Sequence, residues 1–407
     1  MDPVARCVVE TVDVNAKLLN DVQATIWPLP EIRFEEKRAH DLLTEELHKA
    51  GFQESVPACA QVTPSYVLPT AFRAEYSKPG VSAPCVCFMA EYDALSEMGH
   101  SCGHNLIVEA ALGASLALKK ALETTADLPG RVICLGTPAG ESGSSKLLMV
   151  NGGALADVDA VIMAHPSSVN DVAPPYFAMG KVRARYIAKA LYMACAPSNP
   201  VNALDAAVTA YTAVTAMRQH IKPTWKVHGV ITSAGLVANV VPDETELLYY
   251  YRAPNALELE QLRRLLDNCL QGAAVSTGCT LDMDWEGGYE ALLTNGPLAD
   301  AFCKSAASLG LQLQPKSSAK VLFLSSSDIG HVSQRVPTIQ PTFAVCSAPN
   351  HSREFAAAVC YKDAQGPTLL MAKAMALTGL ELFRDPELLK EVRKNFSEGL
   401  ALSSPKL

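Results

Sequence analysis

The sequence contains no uninterrupted apolar stretch long enough to span a bilayer. Its first residues, 1–6, include an acid and are not followed by an apolar run of signal-peptide length. It also has no block of lysine and arginine, and its 34 basic and 42 acidic residues give a net charge of −8 at pH 7. These absences argue against a membrane anchor, against secretion and against a nucleic-acid partner.

Charged residues make up only 19% of the chain and hydrophobic residues 49%, which is a globular rather than a disordered composition. At 407 residues the chain is long enough for two domains. Cysteine is plentiful, and several of the 12 lie inside apolar runs, as buried free thiols do: Cys85, Cys87, Cys134 and Cys346. The reducing cytoplasm is therefore the expected compartment.

One stretch, residues 90–105, concentrates side chains that carry chemistry. It follows the apolar, β-prone run 84–89 and precedes the helical pattern 106–112, so its polar side chains lie where a buried strand passes into a helix. Cys102 and His104 flank a glycine, and a turn at that spacing directs a thiolate and an imidazole toward one point, as zinc-like metals require. Taken alone the motif is a weak signal, because a buried cysteine beside a capping histidine is the commoner arrangement.

Two further strands end beside residues of the same chemical kind. The run 130–136 is followed by Glu141, and the run 159–164 is followed by His165. Because helical segments separate the strands, the pattern predicts a doubly wound, mainly parallel sheet with helices on both faces. Singly, the acid would more often start a helix and the histidine would lie in a loop. Since the carboxyl ends of parallel strands share one edge of a sheet, we expect both residues to converge with Cys102 on one site.

Near the start of the chain, residues 4–26 and 35–50 show helical spacing. The second segment begins with acids, carries basic residues in its last turn and stops at Gly51. It is typical of a surface helix, so we expect His40 and His48 to be solvated.

From about residue 178 the pattern changes to the β-α-β-β-α-β order of a ferredoxin-like α+β domain. The expected elements are strand 182–188, helix 202–220, strands 226–232 and 244–252, helix 256–272 and strand 279–285. Afterwards the chain returns to the alternation of helices and strands seen before residue 178, with helix 297–309, strand 342–346 and helix 364–382. We therefore predict that residues 178–290 form a domain inserted into a second domain of residues 1–177 and 291–407.

A set of motifs in chain order resembles a known protein family. The motifs are residues 91–95, 99–105, 136–139, 164–166, 202–207 and Asn350-His351. Together they resemble the metallopeptidase family of aminoacylase, carnosinase and bacterial carboxypeptidase G, and within it the amidohydrolase branch. Residues 222–229 and 249–254 look most like those of cytosolic dipeptidases that remove C-terminal lysine, ornithine or arginine, including from β-alanyl-lysine. The resemblance covers nearly the whole chain.

The resemblance implies a catalytic domain with one or two divalent ions, zinc first and manganese or cobalt as alternatives, and an inserted lid that also forms a homodimer. It implies five metal ligands: Cys102, His104, Glu141, His165 and His351. It further implies that Asp93 orients the ligands. Asn239 and Arg252 would hold the free carboxylate of a small dipeptide or N-acyl amino acid, for which a guanidinium is well suited. A salt bridge within the lid is an equally weighted alternative for Arg252.

Two catalytic positions depart from the family pattern. Gly140 stands where the family has the glutamate that takes a proton from the attacking water, and Tyr192 stands where it has a lid histidine that stabilises the oxyanion. Loss of a positioned base typically costs roughly 10² to 10⁴ in rate, and loss of an oxyanion donor roughly 10² to 10³. Glu97 is a candidate replacement base, weighed against the plainer interpretation of a solvated loop acid.

Two hypotheses about function therefore remain. The first is a metal-dependent dipeptidase or amidohydrolase that acts, at a reduced rate, on dipeptides with a basic C-terminal residue. The second is a catalytically silent paralogue that binds metal and dipeptide as a sensor or as the partner subunit of an active relative. The intact ligands favour metal binding under both hypotheses, whereas the paired departures at Gly140 and Tyr192 favour the second.

Overall fold

The structure, a computed structural model, describes residues 1–52, 60–78, 83–141, 143–188, 201–314 and 325–403. It contains two units: the first comprises Met1–Pro174, Leu293–Phe323 and His331–Ala401, and the second is built on Pro175–Leu292. The assignment of residues 1–177 and 291–407 to catalysis, and of residues 178–290 to a lid, stays a prediction. No helix in the described ranges is long and apolar enough to cross a membrane.

The first unit begins with helices and then alternates strands with helices. Its elements up to residue 167 are α1 (Pro3–Val14), α2 (Ala16–Ile26), α3 (Lys37–Lys49), β1 (Ala60–Pro64), β2 (Phe72–Ser77), β3 (Cys85–Glu91), α4 (His104–Thr124), β4 (Arg131–Thr137), α5 (Ser145–Asn151), β5 (Ala160–Ile162) and β6 (His165–Ser167). Every residue of β3 is buried, which accounts for its apolar sequence up to Ala90 in place of an alternating one.

The second unit has a four-stranded antiparallel sheet with two helices. Its elements are β7 (Ala178–Ile187), α6 (Ala203–Met217), β8 (Lys226–Ser233), β9 (Glu244–Ala253), α7 (Ala256–Thr277) and β10 (Thr280–Tyr289). The strand order is β10-β7-β9-β8. Residues of β7 and β9 alternate between buried and partly exposed, since one face of the sheet packs on a core that includes Tyr186, Tyr249 and Leu266.

The chain then adds α8 (Gly296–Ser308), α9 (Ile329–Ser333), β11 (Thr338–Ile339), β12 (Thr342–Ala344), α10 (Arg353–Ala358), α11 (Lys362–Arg384) and α12 (Pro386–Ser403). The larger sheet has the order β1-β2-β4-β3-β5-β11. The strands β4, β3, β5 and β11 are parallel to one another, β2 pairs antiparallel with β4, and β1 pairs antiparallel with β2. The predicted fold class, a doubly wound, mainly parallel α/β domain with an inserted ferredoxin-like α+β domain, is confirmed.

Some local expectations need correction. The predicted helix 4–26 is interrupted at Asn15, whose side chain donates to the carbonyl of Thr11 instead of pointing into solvent. His40 is not solvated: it is only 8% exposed and lies beside Phe72, with ring centroids 6.4 Å apart. His48 is exposed, as expected. Strands β1 and β2 and helix α12 were not predicted.

Candidate metal centre

The candidate site lies where β3, β4 and β5 end. Cys102 and His104 follow β3, with His104 as the first residue of α4. Gly103 between them has φ of +82°, and a Cβ there would lie 2.6 Å from Cγ of Pro166. The turn thus requires glycine at residue 103 for two reasons: its backbone conformation is strained for other residues, and there is no room for a side chain. This geometry places Cys102 and His104 side by side at the carboxyl edge of the sheet.

The structure brings all five predicted ligands together in two groups that share one sulfur. The ligand atoms of each group lie within 4.8 Å of one another, and the groups are Cys102 with His104 and His165, and Cys102 with Glu141 and His351. The sulfur of Cys102 lies 3.5 Å from Nε2 of His165. Oε1 of Glu141 lies 3.5 Å from Nε2 of His351 and 3.4 Å from Nε2 of His104. A thiolate, three imidazoles and a carboxylate are the donors that zinc and similar ions prefer.

His351 comes from a distant part of the sequence, and its backbone is held in place by the cysteine turn. Its amide donates to the carbonyl of Ser101 over 2.9 Å, while the amide side chain of Asn350 donates to the carbonyl of Pro166 over 3.0 Å. His351 itself has φ of +63°, which is uncommon for a residue with a side chain. These contacts tie β12, which pairs with β6, to the same edge.

A shell of hydrogen bonds orients the ring nitrogens. Nδ1 of His104 contacts the carbonyl and Oδ1 of Asp93 at 2.8 and 3.0 Å, and Oδ2 of Asp93 accepts from the amide of Glu141 over 3.0 Å. Nδ1 of His165 donates to the carbonyl of Pro166 over 2.8 Å. Both histidines therefore present Nε2 to the ligand groups, and Asp93 lies where it can orient His104 and Glu141 together.

The ionisable groups of the site shift one another's pKa values. Burial opposes the charged form of His104, but Glu91, Cys102 and Asp93 outweigh it and raise the pKa of His104 well above its usual value. Burial likewise disfavours the thiolate of Cys102, yet the neighbouring histidines lower the pKa of Cys102 to about 7. Burial also opposes ionisation of Glu141, whose pKa the hydrogen bond from His351 lowers to about 2. Anionic donors of this kind are poised to bind a cation.

The space beside Gly140 is occupied by a side chain from another strand. Gly140 has no side chain, and the carboxylate of Glu91 fills the adjoining space: a Cβ on residue 140 would lie 2.3 Å from Cδ of Glu91. Oε1 of Glu91 lies 2.9 Å from Nε2 of His104, and Oε2 pairs with Nζ of Lys146. Burial raises the pKa of Glu91, but Lys146 and His104 outweigh it and hold the pKa well below its usual value.

Sequence reasoning missed Glu91 and Lys146 as site residues. Both are buried, at 4% and 1% exposure. The signals were present: Glu91 is an acid at the end of an otherwise apolar strand, and Lys146 lies in the first turn of the short helix α5 beside apolar residues. A charge in an apolar run requires a partner.

The other predicted site residues lie apart from this cluster. Glu97 is exposed in a turn closed by Leu95 and Gly99, which fits a solvated loop acid. Asn239 is exposed in the second unit. In that unit, Nε of the half-buried Arg252 donates to Oγ of Ser326 over 3.3 Å, and no carboxylate of the described residues lies within 4 Å of its guanidinium. Tyr192 lies outside the described residues.

An α/β unit with Cys, His and Glu donors converging at the carboxyl edge of its sheet is the class of fold and site found in metallohydrolases. The chain belongs to peptidase family M20/M25/M40, whose family model matches residues 87–364. The membership predicted from the motifs is thereby confirmed.

Two curated relatives and one solved structure are similar over most of the chain. The chain is 41% identical to a Xaa-Arg dipeptidase of Mus musculus, over 95% of this chain and 90% of the relative, and 39% identical to a Xaa-Arg dipeptidase of Homo sapiens with the same coverage. The Bacillus subtilis YXEP protein, described as a dinuclear metal-binding peptidase of the M20 family, superposes with a TM-score of 0.70 at 15% identity, covering 91% of this chain and 99% of that protein. At that identity the superposition shows a shared fold.

Proposed function

We propose that this protein is a metal-dependent dipeptidase that hydrolyses the amide bond of dipeptides with a basic C-terminal residue, of the β-alanyl-lysine type. The observation that carries the proposal is the pair of ligand groups joined at Cys102. These side chains would hold one or two divalent ions, with Cys102 contributing to both groups. The basic C-terminal residue is proposed from the two relatives of 39% and 41% identity, both named Xaa-Arg dipeptidases.

The donors fit one or two divalent ions, zinc first and manganese or cobalt as alternatives. His104 and His165 would complete one group, and Glu141 and His351 the other, with Cys102 common to both. An ion held there would acidify water and polarise the scissile carbonyl. The protein's own contribution is to orient these side chains: Asp93 holds the ring of His104, the carbonyl of Pro166 holds the ring of His165, and the backbone of His351 is bound to Ser101.

Arg252 and Asn239 are the proposed anchors for the substrate's free carboxylate. The guanidinium of Arg252 makes no salt bridge within the described part of the chain, which supports a role in binding an external carboxylate over a structural ion pair. Its half-buried position would strengthen such a contact, because the surrounding dielectric is lower than that of water.

Gly140 supports the second candidate function, a catalytically silent paralogue that binds metal and dipeptide as a sensor or partner subunit. Without a carboxylate at residue 140, the family's proton acceptor is missing, and turnover would fall by roughly 10² to 10⁴. We place reduced turnover first, because both groups of candidate metal ligands are present.

We also propose a cytoplasmic homodimer formed through the second unit. β8 is an edge strand of its sheet, and the following loop exposes Leu236, Val237 and Val240 at 102, 60 and 42%. An unpaired strand edge beside exposed apolar side chains is typical of an interface. The buried thiols of Cys85 and Cys134 support a reducing compartment.

The proposed activity is tested with purified protein freed of metal by a chelator and reconstituted with zinc, manganese or cobalt. Hydrolysis of β-alanyl-lysine, Xaa-Lys and Xaa-Arg would be compared with hydrolysis of matched dipeptides that end in aspartate or leucine. We expect metal-dependent release of lysine or arginine and little hydrolysis of the others. Equal rates across the panel would contradict the substrate class, and bound metal without turnover would favour the silent paralogue.

A further inference from the structure

The carboxylate of Glu36 lies at the start of a helix but is bound elsewhere. Glu36 directly precedes α3 and is completely buried, at 0% exposure, yet its side chain caps none of the amides of α3. That role is filled by Glu31, whose carboxylate accepts from the amides of Arg38 and Ala39 at 3.0 to 3.1 Å. A function other than helix capping must therefore account for the buried carboxylate of Glu36.

One oxygen of Glu36 accepts from the turn that follows β4. Oε1 lies 2.9 Å from the amide nitrogen of Ala139 and 3.0 Å from that of Phe34. Pro138 has no N–H, so the amide of Ala139 is the first donor after the strand ends, and Ala139 is buried. A buried amide that has left a sheet requires another acceptor. Glu36 supplies it from a distant part of the sequence.

The other oxygen of Glu36 connects this turn to the segment that contains Asp93. Oε2 accepts from Oγ1 of Thr70 over 3.0 Å, and the carbonyl of Thr70 accepts from the hydroxyl of Tyr92. Thr70 and Tyr92 are both buried, and Tyr92 is the neighbour of Asp93 in the sequence. All of these contacts lie within the first unit.

The turn held by Glu36 carries the candidate ligand Glu141. Ala139 has φ of +52°, which is uncommon for a residue with a side chain. Two residues later, the amide of Glu141 donates to Oδ2 of Asp93 over 3.0 Å. Two buried carboxylates therefore hold the backbone on either side of residue 140. We propose that Glu36 is a positioning residue, which fixes Ala139 so that the side chain of Glu141 reaches its ligand group. The inference rests on the metal binding in the proposed function.

The role of Glu36 requires the position of its oxygens and not its charge, because its three partners are neutral donors: two amides and a hydroxyl. A glutamine can keep all three contacts, since its carbonyl oxygen accepts from both amides and the hydroxyl of Thr70 can rotate to accept from its NH₂ group. An aspartate keeps the charge but is shorter by one carbon–carbon bond, so its oxygens would fall short of Ala139. We therefore expect glutamine to replace Glu36 and aspartate to fail.

The first test compares metal binding by the parent, Glu36→Gln and Glu36→Asp. Competition with a chromophoric chelator gives the dissociation constant for zinc, and the absorption spectrum of the cobalt-loaded protein reports the geometry of the ligands. Loss of a residue that orients a metal ligand typically costs ten- to a hundredfold in affinity. We expect a loss of roughly this size, with an altered cobalt spectrum, for the ion that Glu141 binds in Glu36→Asp, and parent-like values in Glu36→Gln.

Glu31→Ala is the matched control. It removes the cap of α3 and leaves the contact between Glu36 and Ala139 in place. It should lower the Tm of the parent and leave the zinc affinity and the cobalt spectrum unchanged. An equal loss of metal affinity in Glu31→Ala and Glu36→Asp would show that the stability of α3 is what matters, and would overturn the inference.

The other outcomes are equally distinct. Parent-like zinc affinity in Glu36→Asp overturns the inference and leaves the proposed function intact, and so does a loss of affinity in Glu36→Gln as large as that in Glu36→Asp. A parent that binds metal but hydrolyses no dipeptide contradicts the dipeptidase activity, while the metal measurements still decide the role of Glu36. A parent that binds no metal contradicts both.

A second measurement needs no substitution. In hydrogen–deuterium exchange of the metal-free parent, the amide of Ala139 should exchange at least roughly tenfold more slowly than in an unstructured peptide of the same sequence, because Glu36 accepts from it. Exchange at the rate of the unstructured peptide would show that Glu36 does not hold this amide and would overturn the inference, whatever the stability of the variants.

Discussion

The sulfur of Cys102 lies 3.5 Å from Nε2 of His165, and the same sulfur belongs to a second ligand group with Glu141 and His351. A single side chain is therefore common to both candidate ion positions. In a dinuclear centre the loss of a shared ligand affects both ions, whereas the loss of a terminal ligand affects mainly one.

Replacement of Cys102 by alanine should accordingly remove most of the bound metal. We expect zinc per chain, measured by mass spectrometry after reconstitution and desalting, to fall at least tenfold, since both groups lose their thiolate. Cys7→Ala, at a partly exposed cysteine in α1, should retain the metal content of the parent. A Cys102→Ala protein that kept its full complement of zinc would contradict the shared-ligand assignment.

Replacement of Arg252 by methionine should weaken substrate binding and not metal binding. A charge-assisted contact to a carboxylate is worth about 1.5 to 3 kcal/mol, so kcat/KM for β-alanyl-lysine should fall by roughly ten- to a hundredfold with unchanged zinc content. The effect should disappear for the corresponding lysine amide, which has no free carboxylate. Arg263→Met, at a partly exposed arginine of the same unit that stacks on Trp285, is the control. Equal losses for acid and amide would argue against carboxylate binding.

Stability should depend on pH through Glu109. Its side chain is buried in α4, and burial raises its pKa from 4.5 to about 8, against a smaller opposing effect of Gln365. The folded protein therefore retains a proton that the unfolded chain releases above about pH 4.5. The contribution of Glu109 to stability is full at low pH, declines as the pH rises from 4.5 to about 8, and is constant above that.

Glu109→Gln removes this titration. Relative to the parent, we expect the variant to gain stability progressively across the same pH window, by on the order of 1 to 4 kcal/mol at its upper end. Denaturant unfolding at several pH values measures the difference, and subtraction cancels the other titrating groups. Glu10→Gln, at an exposed position of α1, should give a flat difference. A flat difference for Glu109→Gln as well would mean that the buried carboxyl does not hold its proton.

The association state should depend on the apolar loop after β8. We expect a dimer by light scattering for the parent and a monomer for Leu236→Asp combined with Val237→Asp, because two charges would be buried at the interface. Val275→Asp, at an 85% exposed position on α7, should remain dimeric. A monomeric parent would contradict the proposed homodimer.

Much of the fold could be predicted because its determinants are local. Buried strands such as β3 and β4 appear in the sequence as short apolar runs, and the glycine and polar residues that follow them mark the strand ends where the site forms. The alternating burial in β7 and β9 has the period of two that predicted the ferredoxin-like sheet.

The remaining features depend on contacts between distant segments. The burial of His40 depends on Phe72 and on the amide of Ser65, which no property of α3 reveals. His351 has no local signal as a ligand and was found only through the family resemblance. The position of Glu91 beside Gly140 joins residues 49 apart in the sequence, so the spacing of motifs could not show that this carboxylate fills the space beside the glycine.

The most direct test of the account combines a metal count and an activity measurement on one sample. Parent and Cys102→Ala proteins would be reconstituted with zinc, their metal content determined, and their hydrolysis of β-alanyl-lysine followed by release of free lysine. The account predicts one or two ions per chain and slow but measurable hydrolysis in the parent, with both lost in Cys102→Ala. A parent that binds zinc but releases no lysine from β-alanyl-lysine or Xaa-Lys dipeptides and no arginine from Xaa-Arg dipeptides would contradict it.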